Sequence, residues 1–79
     1  MMGCEAMDYN QIRGHDAKWA NVRVGQYAIV RLDNDGDVVM VYNVEDSKPM
    51  AIAFARALGI SSAKLLHRVT ESQVDTVPY

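Results

Sequence analysis

One cysteine, two prolines, one tryptophan and one phenylalanine in 79 residues leave little with which to staple, stiffen or heavily pack this chain. Cys4 has no partner for an intramolecular disulfide, so no covalent link supports the fold and an oxidising compartment is not indicated. No apolar run approaches the roughly 18 residues that mark a transmembrane helix, and the first residues lack the basic stretch and apolar core of a signal peptide. The composition reads as that of a cytoplasmic protein without a membrane partner. Basic residues are not in surplus either: 8 Lys and Arg stand against 10 Asp and Glu, a formal charge of −2. Without that surplus, a general affinity for phosphate backbones is not expected, and nucleic acid is not the anticipated partner. Catalytic signatures are absent as well. There is no nucleophile elbow, no Walker-type glycine loop and no Cys/His signature. A chain of this length buries only about 60% of its unfolded surface, too little for a deep cleft. The expectation is a non-enzymatic protein that carries no cofactor.

What is present is a β-rich pattern with one helix. From Trp19 to Leu32, Val, Ile, Tyr and Ala alternate roughly and break once at Gly25, which reads as a strand with a bulge or as two shorter strands. Asp33-Asn34-Asp35-Gly36-Asp37 is a turn, because Asn and Asp accept tight local geometry and Gly36 can take a positive φ. Val38 to Val44 is the returning strand of a hairpin. The period then changes. Ser47 suits a helix N-cap, Pro49 falls in the first turn where its missing N–H costs nothing, and Gly59 suits the C-cap, so the helix spans Lys48 to Leu58. At about 100° per residue, Met50, Phe54 and Leu58 share a sector widened by Ala51 and Ala57, with Ile52 and Arg56 opposite. Ala63 to Thr70 reads as a strand, with Leu65, His67 and Val69 on one side and Leu66, Arg68 and Thr70 on the other. A helix capped by Ser62 is the alternative for that segment.

These elements describe an α+β domain: a small antiparallel sheet built on a β-hairpin, one packed helix and a C-terminal strand, in β-β-α-β order. Residues 19–72 form the domain. Residues 1–18 are a leading segment expected to be partly disordered, in which Met7 could serve as an alternative start after an upstream Met1–Ala6 extension. Residues 73–79 are a polar tail expected to be mobile.

Two motifs invite a sharper reading. The acidic turn superficially matches a calcium loop, but aligning Gly36 with the required glycine puts Arg31 and Tyr42 where acidic ligands belong. His15, His67 and Cys4 match no zinc-ligand spacing, and no metal site is expected from them. Ala55-Arg56-Ala57-Leu58-Gly59-Ile60-Ser61, followed by Leu65, resembles the repressor-type helix-turn-helix across residues 51–70. That resemblance implies a small DNA-binding regulator. Ser61, Ser62 and Lys64 would open its recognition helix, with Lys64, His67 and Arg68 facing phosphates or base edges. Arg68 stands where the family pattern has an apolar residue.

The principal functional reading rests on charge and on apolar surface. Asp33, Asp35, Asp37, Glu45 and Asp46 fall between positions 33 and 46, with no Lys or Arg until Lys48. Such a cluster suits a basic patch on a protein partner, since carboxylates engage Arg forks as phosphates do. The hairpin also looks apolar on both faces. With a three-residue loop, Ala28, Val30 and Leu32 share a face with Val38, Met40 and Tyr42, while Tyr27, Ile29 and Arg31 lie opposite with Val39, Val41 and Asn43. One helix covers one face. The other requires the leading residues, a second copy in a homodimer, or a partner. The chain is therefore expected to be an inhibitor or adaptor that docks on a larger protein or nucleoprotein complex. Its contacts would be Tyr27, Ile29 and Tyr42 with the five acidic residues. In size, acidity and layout it resembles accessory proteins of phages and mobile elements, including anti-CRISPR inhibitors, with which it shares no diagnostic motif.

Overall fold

In the computed structural model, which describes residues 7–79, the chain forms an α+β fold around one antiparallel five-stranded sheet. In chain order the elements are β1 (Met7–Asp8), a 3₁₀ turn (Tyr9–Gln11), α1 (Ala17–Ala20), β2 (Tyr27–Leu32), β3 (Val38–Glu45), α2 (Lys48–Leu58), β4 (Ala63–Arg68) and β5 (Gln73–Val77). The sheet order is β1-β5-β4-β2-β3. The expected β-β-α-β order does not match this one: β2, β3, α2 and β4 follow one another, but they are not the whole of the fold. A strand and a short helix precede them, and β5 follows them. Among the described residues no helix is long and apolar enough to cross a membrane.

The local signals for α2 act as anticipated. Ser47 Oγ accepts a hydrogen bond from the N–H of Met50, Pro49 sits in the first turn, and Gly59 closes the helix at φ 66°. Its docking face differs from the expected stripe. Ala51 and Ala55 are fully buried, Phe54, Leu58 and Ile52 flank them partly buried, and Met50 is 59% exposed. The helix is turned so that its smallest side chains face the strands. This allows its backbone to approach Ile29, Leu65 and Val77 closely, with Tyr27 and Tyr42 packed around the contact.

Segment 19–26 is not a strand. Asp16 caps α1 by accepting from the N–H of Lys18, and Trp19 and Val22, three residues apart, turn to the same side and are buried. Together with Tyr9 and Ile12 they cover the sheet face opposite α2, against Ala28, Val30, Val38, Val41, Leu66 and Val74. Arg68 locks this layer in place. Its guanidinium lies 3.6 Å from the Tyr9 ring centroid, and its Nη1 donates to Val22 O at 2.7 Å.

The polar tail is also structured. Gln73–Val77 pairs with β4, from Leu65↔Val77 to Arg68↔Val74, and with β1 at Met7↔Val74. Val74 joins one hydrophobic layer and Val77 the other, so one valine on each side makes a two-faced strand of an otherwise polar segment. Described strands thus include Met7–Asp8, within the leading segment 1–18, and Gln73–Val77, within the polar tail 73–79.

Candidate functional site

The hairpin tip is built by backbone rules. Asp33 N–H donates to Asp37 O at 2.9 Å and Gly36 N–H donates to Asp33 O at 3.1 Å, enclosing a three-residue loop with Gly36 at φ 84°. Asp33 Oδ1 accepts from the N–H groups of Asp35 and Asp37 at 2.9 and 3.0 Å. The carboxylate of Asp33 therefore sits inside the turn it stabilises. Asp35 is exposed at the apex, while Asp33 and Asp37 are half-buried.

The leading segment braces the tip along the outer edge of β3. Arg13 N–H donates to Asp37 Oδ1 at 3.0 Å. Val38 N–H donates to Arg13 O and His15 N–H to Val38 O, both at 2.8 Å, which makes a parallel bridge between Gly14 and Val38. One step further on, Asp16 Oδ2 accepts from Val41 N–H at 2.9 Å. The backbone N–H groups of Lys18 and Val41 hold the Asp16 carboxyl below the usual aspartate range, since both favour its ionised form.

This bracing brings His15 to the tip. One ligand atom each from His15, Asp33 and Asp37 lies within 4.8 Å of the others. The sequence offered no hint of the grouping, because donors far apart in the chain and drawn from an irregular segment obey no spacing rule. His67 lies elsewhere: its ring stacks on Tyr27 across the β2–β4 pair, with centroids 4.1 Å apart and planes within 7°. Cys4 lies outside the described residues.

The structure divides the expected contact residues. Ile29 is fully buried beneath α2 and presents no surface to a partner. Tyr27 and Tyr42 are half-buried in the same layer. The hairpin faces also differ from the simple alternation, because the register shifts twice: Leu32↔Val38 is followed by Arg31↔Met40, and Val30↔Val41 by Ile29↔Asn43. The extra residues, Val39 and Tyr42, bring Val38, Val41 and Val44 onto the Trp19 side and Tyr42 onto the α2 side. Both sheet faces are covered by the chain itself. The apolar docking platform is thereby withdrawn, and with it the reason for a self-interface.

The acidic cluster is divided too. Asp33, Asp35 and Asp37 precede β3 and Glu45 and Asp46 end it, and eight strand residues at about 3.3 Å each separate the two groups by roughly 25 Å. At the far end Asp46 Oδ1 accepts from Gln26 Nε2, and Glu45 and Asp46 line a shallow hollow with Lys18 and Arg23. That end is mixed in charge. At the tip, the groups donating to Asp33 and Asp37 are backbone N–H.

The DNA-binding geometry fails at its second helix. Ala63–Arg68, where the recognition helix would lie, is strand β4, hydrogen-bonded on both sides by β2 and β5. Arg68 is engaged with Val22, Glu71 and Tyr9. No protein-family model, curated protein or solved structure matches the chain.

Proposed function

We propose that this protein is a non-enzymatic binding module, an inhibitor or adaptor that docks through its hairpin tip on a basic patch of a larger protein. The supporting observation is the tip itself: three aspartates in a five-residue turn, Asp33 and Asp37 held by backbone N–H groups and Asp35 exposed at the apex, fixed by a second chain segment pairing along β3. Such a turn presents negative charge with little ordering left to do on binding, which favours affinity, and long-range attraction to a cationic patch favours fast encounter. Glu45 and Asp46, at the other end of β3, do not belong to this surface.

The structure dictates which substitutions test the reading. Reversing Asp33 or Asp37 would also undo the turn and the bracing, so the informative change is Asp35→Lys at the exposed apex, paired with Glu45→Lys as a comparator. In capture experiments from the source cell, the wild-type chain is expected to retain a protein that Asp35→Lys loses, with retention weakening as salt rises. Loss on Glu45→Lys equal to that on Asp35→Lys, or capture indifferent to both, overturns the reading.

A further inference from the structure

We propose that His15, Asp33 and Asp37 form a binding site for a single divalent transition-metal ion of the zinc class. The three side chains come from two segments that the fold holds in register, and one donor atom from each falls within 4.8 Å of the others. Ligands at about 2.0–2.2 Å from a common ion lie some 3 to 4.4 Å apart, so small side-chain rotations close the set. The backbone hydrogen bonds do not consume the donors that an ion needs. Asp33 and Asp37 each engage the turn or the leading segment through Oδ1, which leaves Oδ2 for metal, and His15 pairs with Val38 through its main chain, not its ring.

The donor set selects the ion. Two carboxylates and a neutral imidazole carry a charge of −2, matching a divalent cation. An imidazole suits zinc and its first-row neighbours, whereas magnesium and calcium are hard cations that take oxygen ligands and gain little from a ring nitrogen. Three protein ligands leave at least one coordination position open to water. The mutual repulsion of Asp33 and Asp37 is relieved when the ion sits between them. The site goes beyond the docking reading, since the ion engages Asp33 and Asp37 and leaves Asp35 at the apex as it was.

The test uses the full chain carrying Cys4→Ser, so that the thiol cannot contribute, with Zn²⁺ as the probe in calorimetry and in a two-dimensional NMR titration. Saturable binding of one ion is expected, with shifts confined to residues 13–16 and 33–38 and to the His15 ring. His15→Ala, which leaves the main-chain pairing intact, is expected to weaken Zn²⁺ binding by about tenfold or more, as is Asp37→Asn. Mg²⁺ at the same concentration is expected to give no saturable response. Absence of saturable Zn²⁺ binding, equal binding by His15→Ala, shifts centred on His67, or an equal response to Mg²⁺ each overturns the site. Loss of Zn²⁺ binding with partner capture retained, or the reverse, separates this proposal from the docking reading.

Discussion

Trp19 rests so tightly on Gly14 that a Cβ at position 14 would lie 2.6 Å from Trp19 Cδ1 and 2.9 Å from its Cβ. Gly14 is also the residue bridged to Val38, so one position without a side chain lets the leading segment hold both the strand edge and the indole. Its φ is not positive, and the constraint is therefore one of space. Gly14→Ala is expected to destabilise the fold by about 1–3 kcal/mol through overpacking. Thermal unfolding followed by circular dichroism checks this, together with a red shift of Trp19 emission; an unchanged melting temperature would contradict it.

Asp16 joins α1 to β3 through one carboxylate, accepting from Lys18 and Val41 N–H groups. Its pKa is lowered in the folded state, chiefly by the Lys18 N–H and then by that of Val41. The unfolded chain therefore takes up the proton first as pH falls. The stabilisation is fully present above the ordinary aspartate pKa of about 3.9 and is lost as pH drops through the depressed folded value. Asp16→Asn should lower stability at neutral pH and flatten the acid limb of a stability-against-pH curve measured by denaturant titration. Parallel curves for the two proteins would remove this account.

The buried face of α2 makes a comparison that the sequence alone would have inverted. Met50 is 59% exposed and Ala55 is 1% exposed. Met50→Ala should change stability by less than about 0.5 kcal/mol, as for surface positions generally. Ala55→Leu forces a bulky side chain between helix and sheet and should cost about 1–3 kcal/mol. Urea midpoints of the two variants decide the ranking.

Removing residues 73–79 tests whether β5 is integral. Val74 is fully buried and pairs with both Met7 and Arg68, so the truncation opens the β4 edge and frees β1. Loss of cooperative unfolding is expected, whereas a mobile tail could be removed without consequence. The milder Val74→Ala should cost about 1.5–2 kcal/mol from the lost methyl burial alone. Amide exchange at Val69, whose N–H donates to Gln73 O, reports the same pairing, through protection that the truncation abolishes.

Much of the fold was legible because its signals are local. Ser47, Pro49 and Gly59 delimit α2 within a few residues of themselves, Gly36 marks the hairpin, and the alternation of Ala63–Arg68 marks β4. The leading segment was obscure because its apolar residues, Tyr9, Ile12, Trp19 and Val22, follow no single period: a 3₁₀ turn, a bridge and a four-residue helix succeed one another. β5 was obscure because two valines, one per face, are all the apolar character it shows. Asp35 could be placed at the hairpin end from sequence; His15 could not, since its position depends on pairing with a residue more than twenty places away.

By itself, then, the sequence determined where the chain turns, where its helix begins and stops, and which segments extend, because those outcomes follow from φ preferences, caps and side-chain period over a few residues. Tertiary structure decided the rest: the rotation of α2 onto its alanines, the two register shifts in the hairpin, the cover laid by Trp19 and Val22, and the meeting of His15 with Asp33 and Asp37. Each of these depends on how two sheet faces and one strand edge are satisfied at once. Distant parts of the chain compete for that surface and for those backbone donors, and only the assembled fold resolves the competition.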